Sequence, residues 1–116
     1  MAPCEADISY DGDFAIIKLS GTLEYGNVIS VSANGKIVLD NGYKKIIIDM
    51  TKITYANSKG LGSLISIMRQ CAEKNAKLVL LNPNGKALEV LTTTKLHTVF
   101  PFVEKGTLND AKNNFK

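Results

Sequence analysis

Three consecutive isoleucines, Ile46 to Ile48, form an apolar run that ends at Asp49. A strand with one face in water alternates apolar and polar residues, whereas a strand covered on both faces does not. The run therefore predicts a buried central strand in a parallel part of a sheet. The residues that follow predict a short loop and then the start of a helix, where Ser58 lies.

Apolar residues recur at helical spacing beyond this loop and predict an amphipathic helix packed on the central strand. Its predicted buried stripe comprises Leu61, Leu64, Ile65, Met68 and Ala72, and its predicted wet side comprises Ser63, Ser66, Arg69, Gln70 and Glu73. Gly60 and Gly62 each cost about 1 kcal/mol of helix propensity relative to alanine. Either tight packing on the sheet or close approach of another molecule explains that cost.

Ser58 has two interpretations at this helix start. As a cap, its side chain accepts a hydrogen bond from an unpaired amide of the first turn, a role for which Asn57 is equally suited. As a presented hydroxyl, it is a site for covalent modification, because a phosphate there meets exposed amides and the positive end of the helix dipole. The local pattern leaves both interpretations open.

An antiparallel hairpin and a first helix are predicted to precede the central strand. Ile8–Tyr10 and Phe14–Leu19 flank the turn signal Asp11-Gly12-Asp13, and Gly21 is predicted to end the second strand. The helix is predicted from Asn27 to Leu39. Its apolar stripe comprises Val28, Val31, Gly35, Val38 and Leu39, and Gly42 is predicted to follow it as a left-handed C-cap.

Further elements follow the second helix. Lys77–Leu81 predicts another buried parallel strand, Asn84 caps a third helix, and the segment around Pro101 predicts an edge strand, because proline cannot donate to a central ladder. Thr107 and Asp110 predict a capping box for a last helix. Its apolar face comprises Leu108, Ala111 and Phe115. Together the elements predict an α/β fold with a mixed, mainly parallel sheet, an N-terminal antiparallel hairpin and about four helices.

Composition restricts the class of protein. The 116 residues suit one domain spanning 1–116, and 45% apolar with 22% charged residues is ordinary for a globular chain. A net charge of +3 with scattered lysines does not indicate nucleic-acid binding. Neither a signal peptide nor an apolar run of membrane-spanning length is evident, and Cys4 and Cys71 lack metal or redox spacing. We expect a cytoplasmic protein that does not insert into the bilayer.

Candidate catalytic chemistry is sparse. His97 is the single histidine, and Asp49 has no second carboxylate close to it in the sequence, so a structural aspartate that hydrogen-bonds the following residues is favoured over a metal ligand. The segment Asn84-Gly85-Lys86 lacks the glycine spacing of phosphate-binding loops. We therefore expect no catalytic residues, no metal, no cofactor and no enzymatic activity.

The helix start carries a family resemblance. Asn57-Ser58-Lys59-Gly60-Leu61-Gly62 resembles the central motif of the STAS domain, as found in bacterial anti-sigma factor antagonists, which reads Asp-Ser-Ser/Thr/Ala-Gly-Leu-Gly. Asn57 replaces the acidic residue, and Lys59 replaces the small one. The segments Asn82-Pro83 and Lys95 to Pro101 resemble the family's tail, so that the resemblance covers about residues 7 to 104.

The resemblance implies a STAS-like fold and a partner-switching function. An antagonist of this kind binds an anti-sigma factor, itself a serine kinase, until the kinase phosphorylates the motif serine, here Ser58, and a metal-dependent serine phosphatase resets it. Glu24 resembles the acidic group after the second strand. The implied partner surface comprises Glu24, Asn57, Ser58, Lys59, Gly60, Gly62, Ser63, Ser66 and Arg69. Such a protein is a binding module and is expected as a monomer or weak dimer.

Two departures from the motif keep other functions open. If the missing acid at Asn57 orients the kinase reaction, Ser58 is modified slowly or not at all, and Lys59 is either a partner for phosphate or acidic groups or an ordinary solvated lysine. The family resemblance also implies a second possible function, because STAS-like domains also serve as accessory subunits of membrane transport systems, docking on an ATPase subunit without a phosphorylation cycle. A small-ligand or nucleotide sensor is a third possibility, with the helix start as its anion site.

Overall fold

The computed structural model describes residues 5–23, 28–56, 58–83, 89, 102–103, 106–113 and 115. One five-stranded sheet has the order β1 (Glu5–Asp11), β2 (Phe14–Leu23), β3 (Lys45–Ala56), β4 (Lys77–Leu81) and β5 (Phe102–Val103). The described helices are α1 (Val28–Asp40), α2 (Ser58–Glu73) and α3 (Leu108–Asn113). Strand β1 is antiparallel to β2, and all other pairs are parallel. The predicted mixed, mainly parallel sheet is confirmed.

Local signals in the sequence form the expected turns and caps. Gly12 adopts φ 59° in the β1–β2 hairpin, and Gly42 adopts φ 91° where its amide donates to the Leu39 carbonyl at the end of α1. At the start of α3 the Thr107 amide donates to Asp110 Oδ2 at 2.8 Å, and the Asp110 amide donates back to Thr107 Oγ1 at 3.4 Å. The predicted hairpin, C-cap and capping box are confirmed.

The sheet separates two apolar cores, and β3 contributes to both. Ile46 and Ile48 point toward α1 and α2, whereas Ile47 points toward α3, and all three side chains are fully buried. Alternate residues of β2 and β4 join the same two cores. Ala111 of α3 is fully buried in the smaller core, with Phe115 packed beside it. A strand covered on both faces is what the isoleucine run predicts.

Helices α1 and α2 pack closely at Gly35. A Cβ built at this buried glycine would lie 2.7 Å from Cγ1 and 3.0 Å from Cγ2 of Ile67. Only a residue without a side chain therefore lets the two helices approach at this point. Val38 and Leu39 continue the buried side of α1.

Two predicted strand ends are wrong. Strand β2 continues past Gly21 to Leu23, because Gly21 adopts φ 94° at an irregularity in the register and the ladder then resumes. The short loop expected after Asp49 is also absent, since β3 continues to Ala56. The two extensions support each other through backbone pairing and through a hydrogen bond from Thr54 Oγ1 to the Gly21 carbonyl at 3.1 Å.

The buried stripe of α2 differs from the predicted one. Leu64, Ile67 and Cys71 are buried, Ile65 and Met68 are partly buried, and Ala72 is exposed. The stripe is rotated because α2 packs against both the sheet and α1, so its buried direction lies between them.

Some of the remaining predictions concern described residues, and others concern residues outside the described ranges. The expected edge strand is confirmed as β5, which follows Pro101 and pairs with β4. Cys4, His97 and most of the predicted third helix lie outside the described residues, although Glu89 is helical and exposed. None of the helices in the described ranges combines the length and the apolar character needed to cross a membrane.

Candidate functional site: the start of helix α2

The central strand leads directly into the helix that carries the candidate serine. Strand β3 ends at Ala56, and α2 begins at Ser58. Ser58 therefore lies at the carboxyl edge of the parallel strands, where α/β folds concentrate their binding groups. The helix start is therefore attached to a strand that is paired with both β2 and β4 and is buried on both faces along its first half.

The amino end of α2 is electrostatically suited to an anion. The helix has 16 residues and no acidic residue in its first turn. Its first amides have no partner within the helix, and the helix dipole adds partial positive charge at this end. A negatively charged group attached here is therefore stabilised without any rearrangement of the helix.

Helical spacing sorts the predicted partner residues into two groups. Ser58, Gly62, Ser66 and Arg69 fall at i, i+4, i+8 and i+11 and share one face of α2. We call these four residues the α2 face. Gly60 instead has the phase of Leu64 and Cys71, which are buried against the core. Lys59 and Ser63 belong to α2 between these directions, and Asn57 and Glu24 lie outside the described residues.

Gly62 on the α2 face has no structural requirement for its missing side chain. It is half-buried, and a Cβ built there meets no atom within 4 Å in the described part of the chain. Arg69, at the far end of the same face, is exposed and Ser66 is half-buried. Among the described residues, the α2 face therefore has free space at Gly62 and one cation, Arg69, at its distal end.

Tyr55 is a candidate contact residue that the sequence interpretation missed. It lies one residue before the end of β3, pairs with Thr22 of β2, and is 37% exposed, which makes it one of the few large exposed hydrophobic residues. An exposed aromatic side chain beside a candidate interface is typical of a binding anchor. The signal in the sequence that could have identified Tyr55 is its position three residues before Ser58.

Asp49 has a structural role in the described contacts. Its Oδ1 accepts hydrogen bonds from the Thr51 amide at 3.0 Å and the Thr51 hydroxyl at 2.5 Å. The side-chain amide of Asn82 donates to Thr51 Oγ1 at 2.9 Å and to the Gly106 carbonyl at 3.1 Å, and the Gly106 amide donates to Asn82 Oδ1 at 2.9 Å. This network joins β3, β4 and the segment that leads into α3. The prediction that Asp49 hydrogen-bonds nearby residues is confirmed.

A pocket of about 320 Å³ on the α3 side of the sheet is an alternative candidate ligand site beside the central strand. Asp7, Lys18, Asp49 and Lys52 contribute its charged lining. Asp7 is paired in register with Lys18, and Lys18 with Asp49, so positive and negative groups alternate across the strands. The lining thus carries no excess positive charge for an anion. Within the described ranges there is also no cluster of three potential metal ligands.

Comparison with known proteins identifies the family. The model of the STAS domain family matches residues 5–110, which include the sheet, the α2 face and the start of α3. The chain belongs to the STAS domain family. The resemblance inferred from the serine motif is therefore confirmed.

Solved STAS structures share the fold at low sequence identity. The Bacillus cell fate determinant SpoIIAA in its phosphorylated form is 19% identical, with 97% of this chain and 100% of that chain covered and a TM-score of 0.71. An anti-sigma factor antagonist from Mycobacterium paratuberculosis is 15% identical, with 95% and 92% covered and a TM-score of 0.81. A sulfate transporter family protein from Wolinella succinogenes is 17% identical, with 92% and 91% covered and a TM-score of 0.71.

Proposed function

We propose that this STAS domain is an anti-sigma factor antagonist that binds an anti-sigma factor serine kinase through the α2 face and is released when Ser58 is phosphorylated. Family membership supports this function, as do the antagonists among its structural neighbours. The single observation that supports it is the free space at Gly62 among the described residues, one helical turn after Ser58 at the amino end of α2. In this role the protein acts in the cytoplasm, is reset by a metal-dependent serine phosphatase and performs no catalysis itself.

The switch acts by local electrostatics. A phosphoserine adds about −1.5 to −2 charge at neutral pH, and the helix amides hold it in place without unfolding α2. A partner docked over Ser58 and Gly62 must strip water from that charge. Unpaired or mispaired buried charge costs several kcal/mol, and each ~1.4 kcal/mol is tenfold in affinity. Phosphorylation therefore weakens binding by about a hundredfold to a thousandfold.

Gly62 and Tyr55 give the interface its shape. The missing side chain at Gly62 lets the partner's backbone approach the second turn of α2, and the exposed ring of Tyr55, three residues before Ser58, supplies apolar contact area. Arg69 lies on the same helix face and favours an acidic group on the partner. Each residue has a separable contribution to affinity.

Phosphorylation mapping tests the proposed site. After incubation with ATP and the anti-sigma factor serine kinase that the proposal requires, intact mass and peptide mapping should find one phosphate, on Ser58. Ser9, exposed on β1, provides the matched control: Ser58→Ala should abolish modification and Ser9→Ala should not. Because Asn57 lacks the family's acid, Asn57→Asp should be modified faster. A phosphate on any other residue would contradict the proposal.

Affinity measurements test the switch. Calorimetry should compare the kinase's affinity for the native, Ser58→Asp and phosphorylated proteins, while backbone amide shifts report structural change. We expect affinity to fall on phosphorylation with shift changes confined to the first turns of α2. Equal affinity of the kinase for the phosphorylated and unphosphorylated proteins would refute the partner switch. Chemical-shift changes that spread through Ile46 to Asp49 would refute the local mechanism.

A second candidate function is an accessory subunit of a membrane transport system that docks without phosphorylation. The Wolinella succinogenes neighbour, described as a sulfate transporter family protein, favours it, together with Asn57 and Lys59 in the motif. Neighbouring transporter genes and a stable complex with a transporter subunit, insensitive to Ser58→Asp, would support this function over partner switching.

A further inference from the structure

Strand β1 is an outer edge of the described sheet, and acidic charges, not proline, lysine or a bulge, are what limit its pairing. Among the described strands it pairs only with β2, in an unbroken register from Glu5 opposite Ser20 to Asp11 opposite Phe14. Its seven residues contain no proline, no lysine and no bulge. An edge strand presents a row of unpaired backbone donors and acceptors, and these devices are what normally blunt it.

The charges of β1 are all negative in a chain whose net charge is +3. Glu5, Asp7 and Asp11 lie on one face of the strand, and Asp11 forms an ion pair with Lys112 of α3. Glu5 and Asp7 are exposed. If a second copy paired antiparallel about Ile8, Glu5 would oppose Asp11, and like charges directly opposite are destabilising. The edge is therefore poorly suited to pairing with a second copy of β1 and well suited to pairing with a strand that carries basic residues.

The other side of the same edge is apolar. Tyr10 is 45% exposed, stacks on Tyr43 at 4.5 Å between ring centroids, and accepts a hydrogen bond from Asn41 Nδ2 at 3.3 Å. Ile37 is 48% exposed and lies one helical turn before Asn41, so it flanks the same edge. A strand added beside β1 would alternate between this apolar flank and the acidic face.

We propose that β1 accepts an extended segment of a partner protein in which basic and apolar residues alternate, adding a sixth strand beside the five described. The backbone provides the pairing, Glu5 and Asp7 select the basic side chains, and Tyr10 with Ile37 contacts the apolar ones. This surface is separate from the α2 face, because β1 is an outer strand whereas α2 follows the central one. It does not depend on Ser58.

A synthetic peptide of alternating lysine and valine, of about seven residues to match β1, is the probe. Amide NMR titration of the full chain should give shifts confined to β1 and the exposed side of α1. A peptide with glutamate in place of lysine should bind at least about tenfold more weakly. A lysine peptide N-methylated at every amide should lose binding, because it keeps its charge and loses the backbone donors on both of its edges. Equal binding of all three peptides would refute strand addition.

Charge-neutral variants locate the contact. Glu5→Gln combined with Asp7→Asn should lower the affinity for the lysine peptide by about tenfold. Glu73→Gln, which removes an exposed acid at the end of α2, should leave that affinity unchanged. Ser58→Asp should leave peptide binding unchanged. The proposal for the Ser58 switch and the proposal for strand addition at β1 can therefore be refuted independently of each other. Shifts centred on α2, or concentration-dependent protection of β1 amides without peptide, would overturn the proposal, the latter by making a second copy the occupant.

Discussion

Two helical glycines, Gly35 and Gly62, have opposite surroundings. Each lies within a helix, where glycine costs about 1 kcal/mol relative to alanine. At Gly35 a Cβ would lie 2.7 Å from Ile67, so the fold itself requires the small residue. At Gly62 a Cβ meets nothing within 4 Å among the described residues. The first glycine is explained by packing inside the chain, and the second is where we propose that a partner molecule approaches.

This difference separates residues that maintain the fold from residues available for binding. The seam between α1 and α2 and the network around Asn82 are closed by contacts within the chain. On the α2 face, by contrast, no described atom lies within 4 Å of a Cβ built at Gly62. Substitutions in the first class should lower the free energy of unfolding, and those in the second should change affinity while leaving the fold intact.

The largest expected loss of stability is at Asn82. Asn82→Ala removes three hydrogen bonds that join Thr51 to Gly106, and it puts alanine at φ 55°. We expect the free energy of unfolding to fall by about 2–4 kcal/mol, measured by urea denaturation. Asn82→Gly, which tolerates that φ, should lose less. Stability unchanged in both variants would mean that the network contributes nothing.

Gly35→Ala is expected to have the next largest effect. The new methyl group would overlap Ile67, and overpacking of this kind costs about 1–3 kcal/mol, partly offset by better helix propensity. In a double-mutant cycle, Gly35→Ala should cost less in an Ile67→Ala background than in the native protein, because Ile67→Ala removes the contacting Cγ1, Cγ2 and Cδ1 atoms. Ile67→Val keeps Cγ1 and Cγ2 and should relieve little of the overlap. A Gly35→Ala protein as stable as the native one would show that packing against Ile67 does not require glycine at this position.

The distinction between these regions was only partly predictable from sequence. The Asp11-Gly12 hairpin, the Gly42 C-cap and the Thr107 capping box were predicted, since each depends on a few adjacent residues. The isoleucine run likewise specified a doubly covered strand without reference to its neighbours. What surrounds each glycine was not predictable, because it depends on how closely α1 approaches α2.

The errors have the same physical origin. Strand β3 extends to Ala56 because the resumed ladder of β2 after Gly21 supplies its partner, and a single sequence does not reveal that pairing. The phase of the buried stripe on α2 depends on packing against two surfaces, which is why Ala72 was wrongly assigned to it and Cys71 was left out. Tyr55 was missed because its exposure follows from the strand extension.

A smaller effect is expected on the buried side of α2, at Cys71. Burial raises the pKa of this thiol from 9.0 to about 11. Its neutral form is therefore favoured by folding: the associated stability is fully present below pH 9.0 and is lost as the pH rises toward 11. Near pH 10 the loss is about 1 kcal/mol. Since other groups also titrate there, the native protein should be compared with Cys71→Ala, and the difference between them should shrink with pH. A constant difference would contradict burial of the thiol.

The smallest expected change in stability, and the one with opposite sign, is at Gly62. Gly62→Ala adds a methyl group into open space and improves helix propensity, so the free energy of unfolding should rise by about 0.5–1 kcal/mol. The same methyl group stands where the partner's backbone is proposed to approach, so affinity for the anti-sigma factor should fall by about tenfold or more. Ala72→Gly, at an exposed position of the same helix, is the reciprocal control: it should lower stability by a similar amount and leave affinity unchanged. A Gly62→Ala protein that is more stable and binds equally well would show that the α2 face is not the contact surface, whereas a less stable one would mean that Gly62, like Gly35, is required by packing within the chain.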